Sequence, residues 1–139
     1  VTHYAWLHSK APKQKESRLS NLRENNPDST LLQMPSLSGC SYLIDCLIEI
    51  GTSMASGFGV TPLTWSEIES WSNLTEIDIS SWEATMIMSL SRTFTSSFNR
   101  FDDKEFPSPY VVEEFDREKV SHNVGSLLRS LASRVNKNG

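Results

Sequence analysis

The chain has 139 residues, 37% of them hydrophobic and 22% charged, with a net charge of −4 at pH 7. That length suits one domain with a useful core, and the acid excess argues against nucleic acid as the main partner. No apolar run approaches the roughly 18 residues that a membrane span needs, and residues 1–10 hold no signal-peptide core.

Residues 1–9 form a short aromatic patch with Tyr4 and Trp6. Residues 10–24 follow with Lys10, Lys13, Lys15, Arg18 and Arg23 against Glu16 and Glu24. Leu19 and Leu22 are too few to hold a helix down firmly. Residues 25–38 contain two prolines and several Ser and Thr residues, which break any periodicity. Residues 1–38 therefore read as a flexible basic and polar arm with a linker, dispensable for folding of the centre. A basic arm can touch phosphate backbones, but no series of stacking aromatics accompanies this one.

Helical periodicity begins near residue 39. Cys40, Leu43, Ile44, Leu47, Ile48, Ile50 and Met54 share one face, and Asp45, Glu49 and Ser53 lie opposite. The expected helix spans about 39–55, with Ser38 as its cap. Asp45 and Glu49 are like charges four residues apart, mildly unfavourable in isolation, and suit an exposed or partner-facing edge. Cys40 and Cys46 are roughly 9 Å apart on such a helix, too far for a disulfide, so reduced, buried thiols are expected. Residues 56–62 read as a turn, with Gly57 and Gly59 for unusual backbone angles and Pro62 leading onward.

Two nearly identical helix starts come next. In each a hydroxyl residue (Thr64, Ser80) can cap free N–H groups, and a Glu three residues on (Glu67, Glu83) can reach back: the capping box. Leu63 and Ile68 are placed as a hydrophobic staple around the first. The helix after Thr64 carries Trp65, Ile68, Trp71 and Leu74 and is expected over 65–74. The helix after Ser80 carries Trp82, Met86, Ile87, Leu90, Phe94 and Phe98 within about 160° of arc, over 81–99. Trp82, beside the cap, is expected to anchor the core.

Residues 102–118 turn acidic, with Pro107 and Pro109 holding the middle extended. A last helix is expected over 113–135. Its apolar stripe of Val120, Val124, Leu127, Leu128, Leu131 and Val135 lies within about 100° of arc, with Gly125 weakening it by about 1 kcal/mol. Such a stripe serves either as a fourth core helix or as a surface for self-association or a partner. The fold class is thus all-α: a bundle of about four helices at 39–139, behind the arm at 1–38.

Catalytic patterns do not assemble. No serine sits in a nucleophile elbow, His3, His8 and His122 have no metal-ligand spacing, and Gly57-Phe58-Gly59 is not a phosphate loop. No enzyme, metal or cofactor is expected.

The segment 42–98 carries Tyr42-Leu43 opening an apolar helix, then Gly57-Phe58-Gly59 and Pro62. The run Leu63-Thr64-Trp65-Ser66-Glu67-Ile68-Glu69-Ser70-Trp71 follows, then Leu74-Thr75 and Trp82-Glu83. In order and gaps this resembles the tail assembly chaperones of long-tailed bacteriophages. It departs from their pattern at Ile44, Cys46 and Leu47, where tryptophans are usual, and at Glu76, where glycine is usual. The resemblance implies a non-enzymatic helical protein in the host cytoplasm. It implies as partners a tape-measure protein, which it keeps soluble, and tail-tube subunits, which it helps to gather. A structural virion component, such as a head–tail connector or tail completion protein, is the alternative. A helix-turn-helix regulator built on 65–99 comes third, because its reading helix would begin Ser81-Trp82-Glu83 without a basic residue before Arg92. Candidate partner-binding residues are Asp45, Glu49, Val120, Val124, Leu127, Leu128 and Leu131.

Overall fold

A computed structural model describes residues 1–37 and 39–111. The expected cap Ser38, the helix at 113–135 and its stripe Val120, Val124, Leu127, Leu128 and Leu131 lie outside the described residues, as does His122. Five α-helices are described: α1 (Thr2–His8), α2 (Arg18–Asn25), α3 (Ser41–Ile50), α4 (Trp65–Thr75) and α5 (Ser81–Phe101). A 3-10 turn, Thr30–Leu32, follows α2. Between α3 and α4 the chain forms an antiparallel hairpin of β1 (Met54–Ser56) and β2 (Gly59–Thr61). The fold is mostly helical, and the all-α expectation is corrected by this hairpin. Its strands are three residues each, too short to show an alternating pattern.

The long helix α5 is the spine. It starts at a complete capping box: the Ser80 hydroxyl accepts from the Glu83 N–H, and the Glu83 carboxylate accepts from the Ser80 N–H at 2.8 Å. Along its first half Ile87 and Met88 join Leu43 and Leu47 of α3, Leu63, and Ile68 of α4 in one core cluster. At its far end Phe101 joins Trp6 and Leu7 of α1, flanked by Leu19, Leu22, Leu31, Leu32 and Phe106.

The face that α5 buries is not the one its large apolar residues suggest. Ile87, Met88, Ser91, Phe94, Thr95 and Phe101 are buried, while Trp82 is 55% exposed. At about 100° per residue, Trp82 points almost directly away from Ser91 and Phe98. Trp82 is therefore not the core's anchor. Ser91 takes part in the buried face instead, because it answers two backbone groups. The buried Ser91 hydroxyl accepts from the Leu63 N–H and donates to the Thr52 carbonyl, both at 2.9 Å. Eight residues on, the Asn99 amide donates to the Val60 carbonyl at 2.9 Å and accepts from its N–H at 3.3 Å. Two side chains thus fasten the hairpin and its flanks to α5. Gly59 has φ of +124°, and a Cβ there would lie 2.7 Å from Asn99 Oδ1, so both backbone angle and close approach demand glycine.

The flexible N-terminal arm is the second correction. Ala5, Trp6 and Leu7 are buried, and α1 lies along α5. Trp6 Nε1–H donates to the Phe106 carbonyl at 2.9 Å. Arg18 is buried: it donates to Ser9 Oγ and to the Phe101 and Lys104 carbonyls, and its guanidinium stands 5.3 Å from the Trp6 ring centre. Its charge thereby meets the negative end of the α5 dipole. The sparse apolar residues of this segment suffice because their partners, Phe101 and Phe106, come from the other end of the chain.

Candidate functional site

Helix α3 has two working sides. Leu43 and Leu47 turn into the core, 3% and 2% exposed, while Asp45, Ile48 and Glu49 are exposed. Its N-cap position is Cys40, which makes no side-chain cap bond. Cys40 is exposed and Cys46 half-buried, both as free thiols, which corrects the expectation of two buried ones. The Tyr42 hydroxyl donates to Glu83 Oε1 at 2.8 Å and ties the start of α3 to the start of α5. That bond to a carboxylate pushes the Tyr42 pKa up to about 12. The Ser80 hydroxyl and N–H, then the Tyr42 hydroxyl, hold Glu83 below the ordinary carboxylate value.

Beside Ile44 and Ile48 a small apolar cleft opens, closed on its other sides by Val1, by Tyr4 of α1 and by Met34 and Leu37. Met34, Leu37 and Ile48 are 46%, 57% and 44% exposed. Aliphatic surface of this kind, on residues close in space, marks a place for another apolar surface. The predicted pair Asp45 and Glu49 is on the same helix as Ile48 and supplies the charge beside it. Half of this cleft comes from the segment read from sequence as arm and linker. Met34 and Leu37 were its visible signal there, masked by the surrounding Pro and Ser residues.

A second groove lies between α4 and the start of α5. Ile68 and Ile79 form its floor, Trp65, Glu69 and Ser72 one wall, and Ala84 the other. Ser72 also borders an adjoining polar hollow with Glu76, Ile77 and Asp78. Trp65, the first residue of α4 and part of its apolar stripe in the sequence, is 54% exposed and so stands outside the core. Trp71 is buried at 8% exposure, and its Nε1–H has no partner among the described residues. Thr64 caps α4 by accepting from the Glu67 N–H at 3.3 Å, and Leu63 and Ile68 are both buried as a staple requires.

Helices α3 and α4 and the start of α5 share one electrostatic setting. From residue 24 to residue 91 the sequence contains no Lys or Arg, while residues 39–91 carry Asp45, Glu49, Glu67, Glu69, Glu76, Asp78 and Glu83. The basic residues are confined to the N-terminal segment and to positions from Arg92 onward.

Among the described residues no cluster of three or more His, Cys, Asp or Glu side chains is placed to hold a metal ion. No described helix is long and apolar enough to cross a membrane. His3 is buried for structural ends: Nε2 lies 2.9 Å from the Leu31 carbonyl, its ring stacks on Trp6, and Tyr110 packs edge-on against it. What the two grooves offer is non-covalent cover for an apolar surface.

Residues 23–96, more than half of the chain, match the family model described as phage tail assembly chaperone. The matched span runs from the end of α2 through α3, the hairpin and α4 and into α5, and so contains the whole groove between α4 and α5 and all of the α3 cleft except Val1 and Tyr4. No curated protein and no solved structure matches the chain.

Proposed function

This chain belongs to the phage tail assembly chaperone family, and from that premise we propose that it holds helical segments of a tape-measure protein during tail assembly and helps tail-tube subunits gather on them. The role is non-enzymatic and is exercised in the cytoplasm of the bacterial host. The observation that supports it is the apolar cleft along α3, where Ile48 is exposed and the exposed Asp45 and Glu49 lie to one side of it on the same helix. An apolar cleft flanked by charge suits the apolar stripe of an amphipathic helix, the helix-in-groove mode of recognition. A small cleft gives modest affinity, which suits a protein that must later leave. The stripe Val120, Val124, Leu127, Leu128 and Leu131 belongs to the same reading as a further surface for a client or a second copy.

Co-expression tests this. Tape-measure fragments from the same phage should stay in the soluble fraction with the wild-type chain and precipitate with Ile48→Asp. Mass spectrometry of purified virions should lack the chain; finding it there in stoichiometric amounts would favour a structural virion component instead.

A further inference from the structure

The groove between α4 and the start of α5 is distinct from the cleft along α3. It combines an aromatic wall, an aliphatic floor and a carboxylate border. Trp65 stands 54% exposed at one end over the buried Ile68. Glu69 lies in the groove itself, and Ser72 joins it to the hollow holding Glu76 and Asp78, with Ile77 40% exposed. Residues 24–91, which supply every side chain of the groove and the hollow, contain no Lys or Arg. An apolar floor bordered by negative charge selects by sign. An acidic segment is repelled and a neutral one gains only the floor. A segment with Lys or Arg beside an apolar stripe gains all three features. Its long stems cover the isoleucines while the charged heads reach the carboxylates, and a cation can also settle on the Trp65 face.

We propose that this groove is a docking site for a lysine- or arginine-bearing amphipathic helix of a partner protein. This rests on the reading of the chain as a holder of helical clients and adds the chemical class of helix that one site takes.

The test uses the full chain and two labelled model helices of about 18 residues with the same leucine stripe, one with lysines on its polar face and one with glutamates, followed by fluorescence anisotropy. The lysine helix should bind about tenfold or more tighter than the glutamate helix, and raising salt from about 50 to about 500 mM should erase most of that gap. Glu69→Lys/Glu76→Lys should abolish the preference, and Trp65→Ala should weaken binding of the lysine helix. All three side chains are exposed, so thermal melts should stay near wild type, and the salt dependence of the wild type stands independently should a variant fail to fold. Equal, salt-insensitive binding of both helices overturns the inference while leaving the helix-holding reading intact. Binding of neither helix overturns both. A wild-type dimer that Glu69→Lys/Glu76→Lys dissolves, with no preference between the helices, assigns the groove to a second copy and overturns the inference as well.

Discussion

Ser91 shows how a single small side chain can matter more to this fold than a tryptophan. Its hydroxyl answers the Leu63 N–H and the Thr52 carbonyl in a fully buried position. Ser91→Ala leaves two backbone groups without a partner, at about 1–3 kcal/mol for each that cannot find water. Urea denaturation should therefore show a loss of at least about 1 kcal/mol, whereas Trp82→Ala, on the exposed side of the same helix, should stay within about 0.5 kcal/mol of wild type. The reverse order would mean that the buried face of α5 is misplaced. The histidines supply a second prediction at this scale. Burial holds the pKa values of both His3 and His8 below the ordinary histidine value, with Arg23 adding to the effect at His8. A base whose folded pKa is lowered takes up its proton more readily in the unfolded chain. Stability is therefore full above about pH 6.5 and declines as pH falls from there through the folded values. The thermal midpoint should drop over that window, and His3→Gln/His8→Gln should flatten the drop.

At the scale of elements, what could be read from the sequence is what is decided within a few residues. The box at Ser80 and Glu83 and the staple of Leu63 and Ile68 need only local geometry, so helix starts at 65 and 81 were legible. The hairpin was not, because Asn99 holds its second strand and Ser91 the residue Thr52 before it, each from 39 residues away. Nor was the docking of α1, whose apolar residues look too few until Phe101 and Phe106 are placed beside them. Trp65 and Trp82 misled for a related reason: periodicity says which residues share a face, not which face is covered. The end of α4 is a point of local conflict. Glu76 holds φ of +55° in the left-handed region, a C-terminal position where glycine is favoured. Glu76→Gly should raise stability by about 0.5–1 kcal/mol, seen as a later thermal midpoint; a loss would show that the Glu76 side chain contributes more than its backbone costs. For α1 the expectation is the opposite of dispensability. A chain shortened to begin at residue 39 uncovers Phe94 and Phe101 and loses Trp6 and Leu7, each worth about 1.5–3 kcal/mol when buried. It should lose its cooperative melt or aggregate, and an unchanged melt would mean that the cluster around Phe101 is not part of the folding unit.

Across the whole molecule, two clusters on one spine leave apolar surface uncovered on α3 and on α4, and the groove at α4 lies wholly in the stretch without basic residues. The family membership says that the chain serves tail assembly. The proposed service, holding helices, draws on the exposed aliphatic side chains of α3 and the groove of α4. The sequence made the acidic edge of Asp45 and Glu49 visible, because exposed charges at helical spacing are a local pattern. It hid the cleft beside them, because Val1, Tyr4, Met34 and Leu37 meet Ile48 only in the folded chain. The most direct measurement is a titration of a labelled amphipathic tape-measure helix into the full chain, beside its Ile48→Asp variant, with thermal melts of both. The account predicts saturable binding by wild type and a loss of about tenfold or more in the variant, equivalent to about 1.4 kcal/mol, with melts within a few degrees of each other. Wild-type affinity in a folded Ile48→Asp variant would contradict it.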